Sequence, residues 1–276
     1  MPLSGSDLLV TARAAGVGVG AFNVIQIEHA EALVAAAEQV ELPVILQISE
    51  NAARYHGALA PIALATREIA AAATIPVVLH LDHAIDEELV DEAITLGFTS
   101  VMFDGAHLPW AENVDRTAAV VRRAHDADVW VEAELGEVGG KDGAHAPGVL
   151  TKQDEAAAFV AATGIDALAV AVGSSHAMTE RTAALNLERI AEIAAAVQVP
   201  LVLHGSSGVA DAAIATGVQA GLTKINVSTH LNKVFTAALR ESLRDNESVV
   251  DPRKYFGAAR AALTAETARL IRVIHG

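Results

Sequence analysis

Short continuous apolar runs alternate along the chain with longer Ala-rich segments that carry Glu, Asp and Arg at helical spacing. The apolar runs read as strands at 19–24, 43–49, 75–79, 100–104, 129–134, 167–172, 200–204 and 224–228. The third runs straight into His80-Leu81-Asp82-His83. The segments between them read as helices at 27–39, 58–73, 86–96, 109–122, 154–162, 187–197 and 211–216. A first helix at 7–15 sits behind a Ser6 cap and stops at Gly16. Strands that are apolar throughout, rather than alternating, suit a parallel sheet covered on both faces.

Strand followed by helix, repeated eight times in 276 residues, predicts a (β/α)8 TIM barrel, which typically takes about 250 residues. No Pro-, Gly- or Ser-rich linker divides the chain. The reading is one domain over 1–276 with a helical tail from about 229. An open doubly wound sheet is the alternative; no Gly-x-Gly-x-x-Gly follows the first strand to support it.

Composition narrows the chemistry. Residues are 52% hydrophobic and 19% charged, so a large core can form, mostly from aliphatic side chains because aromatics are 4%. Cysteine is absent, so any metal site must use His, Asp or Glu. A net charge of −15 disfavours nucleic acid and anionic membrane as partners. It leaves room for a phosphorylated ligand, since backbone N–H groups and helix N-termini hold phosphate. Neither a secretory signal nor an apolar stretch of about 18 residues is evident, which points to the cytoplasm.

In a TIM barrel the C-terminal strand ends carry the chemistry. Here they present Asn23, Ser49, Asp82 with His83, Asp104, Glu134, His176, His204 and Asn226. Each histidine alone is more readily a satisfied or solvated residue than a ligand. Three at strand ends, with two acids, favour a metal site. Zinc suits imidazole and carboxylate best, with manganese, iron and cobalt open. His80 reads as a barrel-wall residue facing away from the ligands. The remaining histidines, His107 and His145 near the mouth included, carry no assignment.

Gly205-Ser206-Ser207-Gly208 follows the seventh strand, and Ser228-Thr229 follows the eighth. These are the positions where this fold holds phosphate. A Schiff-base aldolase would need a lysine aimed into the mouth. The sixth strand has none, and Lys224 is expected at the start of the eighth strand, on the bottom face.

Several stretches together resemble the class II, metal-dependent ketose-bisphosphate aldolases, in the branch with tagatose-bisphosphate aldolase and the shorter fructose-bisphosphate aldolases. They are Leu79-His80-Leu81-Asp82-His83, Phe103-Asp104-Gly105, Val131-Glu132-Ala133-Glu134-Leu135-Gly136, Leu203-His204-Gly205-Ser206-Ser207-Gly208, Lys224-Ile225-Asn226-Val227 and Asp251-Pro252-Arg253. The resemblance implies catalytic zinc on His83, His176 and His204, with Asp104 and Glu134 serving a second or alternative metal position. It implies Asp82 as the acid/base at the C4 hydroxyl, with Asn226 steadying the enediolate. Gly205, Ser206, Ser207, Val227, Ser228 and Thr229 would hold a substrate phosphate, with Asn23 and Ser49 nearby and a monovalent cation, Na+ or K+, close to it. Arg253 would reach the distal phosphate in a neighbouring subunit of a homodimer or homotetramer.

The implied reaction is reversible cleavage of fructose or tagatose 1,6-bisphosphate to dihydroxyacetone phosphate and glyceraldehyde 3-phosphate. Three departures bear on substrate identity. Asp142, after Lys141, would be the loop proton carrier where relatives often have Glu. Ala177 replaces a glycine and would bind phosphate through its N–H. Ser228 stands where some fructose-specific relatives have Asp. The rival readings are an aldolase for another phosphorylated ketose, a metal-dependent hydrolase, and a sugar-phosphate-binding protein with a degenerate site.

Overall fold

Eight parallel strands close into a barrel in sequence order in the computed structural model, which describes residues 5–135, 150–176, 178 and 180–276. The strands are β1 (Val19–Asn23), β2 (Val44–Ser49), β3 (Val77–Ala84), β4 (Ser100–Phe103), β5 (Trp130–Leu135), β6 (Ala167–Val170), β7 (Leu201–Leu203) and β8 (Leu222–Val227). β8 pairs with β1, with Val19 beside Lys224 and Ala21 beside Asn226, so the sheet has no edge. The helices are α1 (Gly5–Ala15), α2 (Ile27–Val40), α3 (Glu50–His56), α4 (Ala60–Ala71), α5 (Glu87–Thr95), α6 (Trp110–His125), α7 (Gln153–Thr163), α8 (Leu187–Ala196), α9 (Asp211–Ala220), α10 (Thr229–Asp245) and α11 (Pro252–His275).

Local chemistry accounts for several helix starts. The Asp86 carboxylate accepts the Glu88 N–H at 2.9 Å, and the Asn186 side chain accepts the Arg189 N–H at 2.9 Å. The single helix expected at 58–73 is preceded by a separate short one. Ser49 caps α3, and Gly57, at φ 79°, ends it before α4 begins. α9 runs on to Ala220, past the expected end at 216. No helix among the described residues is long and apolar enough to cross a membrane.

Side chains two apart share a face of a strand, and this sets what lines the axis. Val19, Ala21, Ile45, Val78, Trp130, Ala167, Ala169 and Val202 form an inner apolar cluster. α1 adds Leu8, Leu9 and Ala12, plugging the N-terminal end of the barrel. Intervening residues such as Leu79, Leu81, Val131, Ile225 and Val227 pack in the outer layer with the helices.

One step above the apolar floor the axis turns polar, with Gln47, His80, Glu132 and Lys224 all buried. Two expectations change here. Lys224 is not on the bottom face; it follows two residues of β8 and points inward, its Nζ 2.6 Å from Glu132 Oε2 on β5. His80 is not a wall residue either. It shares the inward face with Val78 and Asp82, and its Nε2 lies 3.1 Å from Lys224 Nζ.

Candidate active site

Strand alternation carries Asn23, Asp82, Glu134, His204 and Asn226 to the top of the axis, and all but half-buried Asn23 are buried. His83 is out of phase with this pattern, since it neighbours Asp82. Its φ of 51° and a register shift between Leu81 and Ala84 in the β3–β4 pairing turn its side chain into the mouth beside Asp82. A left-handed non-glycine residue costs about 1–3 kcal/mol and persists where surrounding contacts impose it. Here His83 Nδ1 is 2.9 Å from Asp104 Oδ2.

The rings of His83, His176 and His204 stand edge to face, with centroids 4.5–5.6 Å apart. One ligand atom from each of these and from Glu134 lies within 4.8 Å of the other three. Three imidazoles and a carboxylate converging in this way are a donor set that zinc takes. Asp104 does not belong to the converging group; it is the hydrogen-bond partner of His83 instead.

The neighbours of this cluster are polarised. Burial alone would raise the Asp82 carboxyl, but the charges of His83, His204 and Lys224 outweigh it and bring it down to about 2. Burial would lower His204, but hydrogen bonds to Glu132 and Glu134 prevail and raise it to about 9. Glu132 is held well below the carboxylate range: burial opposes this, and Lys224 and His204 overcome it. Burial, reinforced by Lys224, takes His80 down to about 3.

Two polar groups beside the cluster keep hydrogen-bonding capacity that the protein does not use. Asp82 Oδ1 and both amide atoms of Asn226 are buried without hydrogen-bond partners. A buried polar group in this condition calls for an explanation, and at the mouth of the barrel a bound ligand supplies one. Asn23 Nδ2 donates to Asp82 Oδ2 at 3.1 Å, and Gln47 Nε2 donates to Asn23 Oδ1 at 2.8 Å.

The loops after β6, β7 and β8 are tied to one another. Ser174 Oγ donates to the His204 carbonyl at 2.6 Å, and Ser206 Oγ donates to the Asn226 carbonyl. The Ser206 hydroxyl is thereby committed, leaving only its backbone N–H for a ligand. Ser207 Oγ accepts the His230 N–H at 3.1 Å, which leaves its own proton to donate. Gly205 has φ 67°, and a Cβ there would fall 2.5 Å from the Ser175 backbone, so the chain can pass here only as glycine. Val227 ends β8, and Ser228 and Thr229 lead into α10.

Other expected site residues stand apart. Ser49 Oγ accepts the Ala52 N–H at 3.2 Å as a helix cap. Arg253 is exposed and its side chain bonds to Asp251, not to this mouth. Asp142 and Ala177 lie outside the described residues.

The sequence pattern of the family Fructose-bisphosphate aldolase class-II matches residues 4–276. The chain belongs to that family. It is 42% identical over 269 residues to the Bacillus subtilis protein named "Probable fructose-bisphosphate aldolase", covering 95% of this chain and 94% of that one. It is 41% identical over 268 residues to the fructose-bisphosphate aldolase of Staphylococcus epidermidis, with the same coverage. The crystal structure of the YdjI aldolase from Escherichia coli K12 superposes with a TM-score of 0.89 at 30% identity, over 99% of this chain and 97% of that one.

This aldolase, a carbon–carbon lyase, holds three residues just below its mouth whose inward placement sequence reasoning did not assign: Gln47 and Glu132, which it left without a role, and Lys224, which it set on the bottom face. The signal was in the alternation. Gln47 lies two before Ser49, Glu132 two before Glu134, and Lys224 two before Asn226, so each faces the axis one step below a strand-end residue.

Proposed function

We propose that this aldolase depends on a divalent metal, zinc first, and reversibly cleaves a ketose 1,6-bisphosphate, fructose or tagatose, to dihydroxyacetone phosphate and glyceraldehyde 3-phosphate. The observation that carries this reading is the convergence of His83, His176, His204 and Glu134 beside the Oδ1 of Asp82, which makes no hydrogen bond to protein. When bound there, the metal supplies a Lewis acid that polarises the ketose carbonyl.

The chain's own residues do the rest. Asp82, held ionised, takes the proton of the C4 hydroxyl as the C3–C4 bond breaks, and returns it to the aldehyde oxygen in condensation. Asn23 fixes the other Asp82 oxygen, so Oδ1 is the one that moves the proton. The Asn226 amide, without a protein partner, donates to the oxygen on which charge develops. Ser207, the backbone N–H groups of Gly205 and Ser206, and the residues 227–229 form the phosphate cradle, with Ala177 and a monovalent cation beside it. Ser49 borders the substrate, and Asp142 is the proton carrier at C3. Arg253 serves the distal phosphate in a neighbouring copy's mouth, within a cytoplasmic homodimer or homotetramer.

Triose phosphate release from the two bisphosphates, measured after exhaustive chelation and again after adding zinc, tests the reading. Chelator-sensitive cleavage that zinc restores supports it, and the ratio of kcat/KM names the preferred epimer. Full activity after complete metal removal would overturn the metal dependence. Loss of cleavage for both epimers in the zinc-loaded enzyme would shift the substrate to another phosphorylated ketose.

A further inference from the structure

Beneath the mouth lies a chain of buried polar groups that the proposed chemistry does not use. Ser100 on β4, His80 on β3, Lys224 on β8 and Glu132 on β5 meet across the barrel axis, and Glu132 meets His204 above. Every one is essentially inaccessible to solvent. We infer that Glu132, anchored by Lys224, is a positioning residue that sets the tautomer and orientation of the His204 ring for metal binding. This rests on the reading of His204 as a metal ligand.

Donor and acceptor counting fixes each role. A lysine ammonium only donates, and an ionised carboxylate only accepts. Lys224 Nζ donates to Glu132 Oε2 at 2.6 Å and to His80 Nε2 at 3.1 Å. His80 must then carry its proton on Nδ1, which faces Ser100 Oγ at 2.7 Å. Glu132 Oε1, 2.8 Å from His204 Nε2, can only accept, so the neutral His204 ring carries its proton on Nε2. The lone pair is therefore on Nδ1. That nitrogen faces Glu134 Oε2 at 3.3 Å, inside the converging ligand group.

The layer below is filled by Val78, Trp130, Ala167 and Val202, which close the axis with apolar side chains alone. A buried ion pair replaced as a pair by apolar residues is often neutral or stabilising, whereas removing one partner strands the other charge. Carboxylates that hold a metal-bound imidazole in this way tune affinity by about 10–100-fold.

The decisive variant is Glu132→Gln. Lys224 can pair only with the amide oxygen, so the amide NH2 faces His204 Nε2 and favours the tautomer with its proton on Nδ1. Glu132→Leu combined with Lys224→Met removes both charges together and guards against a variant that fails to fold. Zinc affinity of the full-length protein is measured by competition with a chromophoric chelator, alongside the visible spectrum of the cobalt-loaded protein and thermal unfolding.

Wild type binding zinc tightly, with about 10–100-fold weaker binding and an altered cobalt spectrum in Glu132→Gln, is the expected result. The double variant is expected to unfold near the wild-type temperature while binding zinc as weakly as Glu132→Gln. Wild-type zinc affinity in either variant overturns the positioning role and leaves the metal reading intact. Failure of the wild type itself to bind zinc overturns both.

Discussion

Asn23 and Asp82 meet at 3.1 Å through one amide nitrogen and one carboxylate oxygen, and the second Asp82 oxygen is buried without a hydrogen bond, 3.9 Å from His83 Nε2. The ionised Asp82 carboxylate can only accept, so it sets which way the Asn23 amide is turned, and Gln47 then donates to Asn23 Oδ1. One Asp82 oxygen is thus fixed by protein and the other presented to substrate. Asp82→Asn keeps the shape and removes the base. It is expected to lower kcat by about 10²–10⁴-fold with zinc affinity nearly unchanged, measured by steady-state kinetics on zinc-loaded enzyme. Equal losses of kcat and zinc affinity would place Asp82 among the ligands instead.

Metal binding is expected to release a proton. In the metal-free protein His204 is raised to about 9, so near neutral pH it is protonated and must lose that proton to bind a metal. Zinc affinity should therefore rise by about tenfold per pH unit from 6 to 8, and flatten above about 9. Isothermal titration in buffers of different ionisation enthalpy would report the proton directly. Asp82, at about 2, stays ionised throughout this range, so the acid limb of activity should follow metal loss.

His29 gives the fold a pH dependence unrelated to catalysis. Its ring is buried in α2 against Phe235 of α10, with centroids 4.8 Å apart, and neither nitrogen has a hydrogen-bond partner. Burial lowers its pKa from the ordinary 6.5 to about 4. Between these values the unfolded chain binds the proton and the folded chain does not. Stability is complete above about 6.5 and falls with pH down to about 4, by about 3 kcal/mol in total. His29→Phe should flatten that part of the curve in urea unfolding followed from pH 7 to pH 4.5. His80 contributes in the same direction and remains in the variant.

Gly205→Ala introduces a Cβ 2.5 Å from the Ser175 backbone at a φ of 67°. Left-handed backbone alone costs about 1–2 kcal/mol for an alanine, and the collision must also push the loops after β6 and β7 apart. The expected outcome is a lower melting temperature and a raised KM for the phosphorylated substrate. An unchanged KM with a lowered melting temperature would separate the loop from phosphate binding.

Much of the barrel was legible because its signals are local. Continuous apolar runs such as Pro43 to Leu46 and Pro200 to Leu203 announce buried parallel strands, and helix punctuation such as Asp86 and Gly97 sits within a few residues of the elements it bounds. The period of two along a strand puts Val78, His80 and Asp82 on one face, and Trp130, Glu132 and Glu134 on another, a signal the reading of His80 as a wall residue did not use. What sits opposite that face is not a local property. It depends on how far each strand is staggered against the next around the closed barrel, and that stagger brings Lys224 of β8 onto Glu132 of β5 and under His204. The turn of His83 into the mouth likewise comes from a backbone angle of 51°, which the contacts around it sustain and its own residue type disfavours. The sequence determined which side chains could reach the axis; the closure of the sheet decided which of them meet.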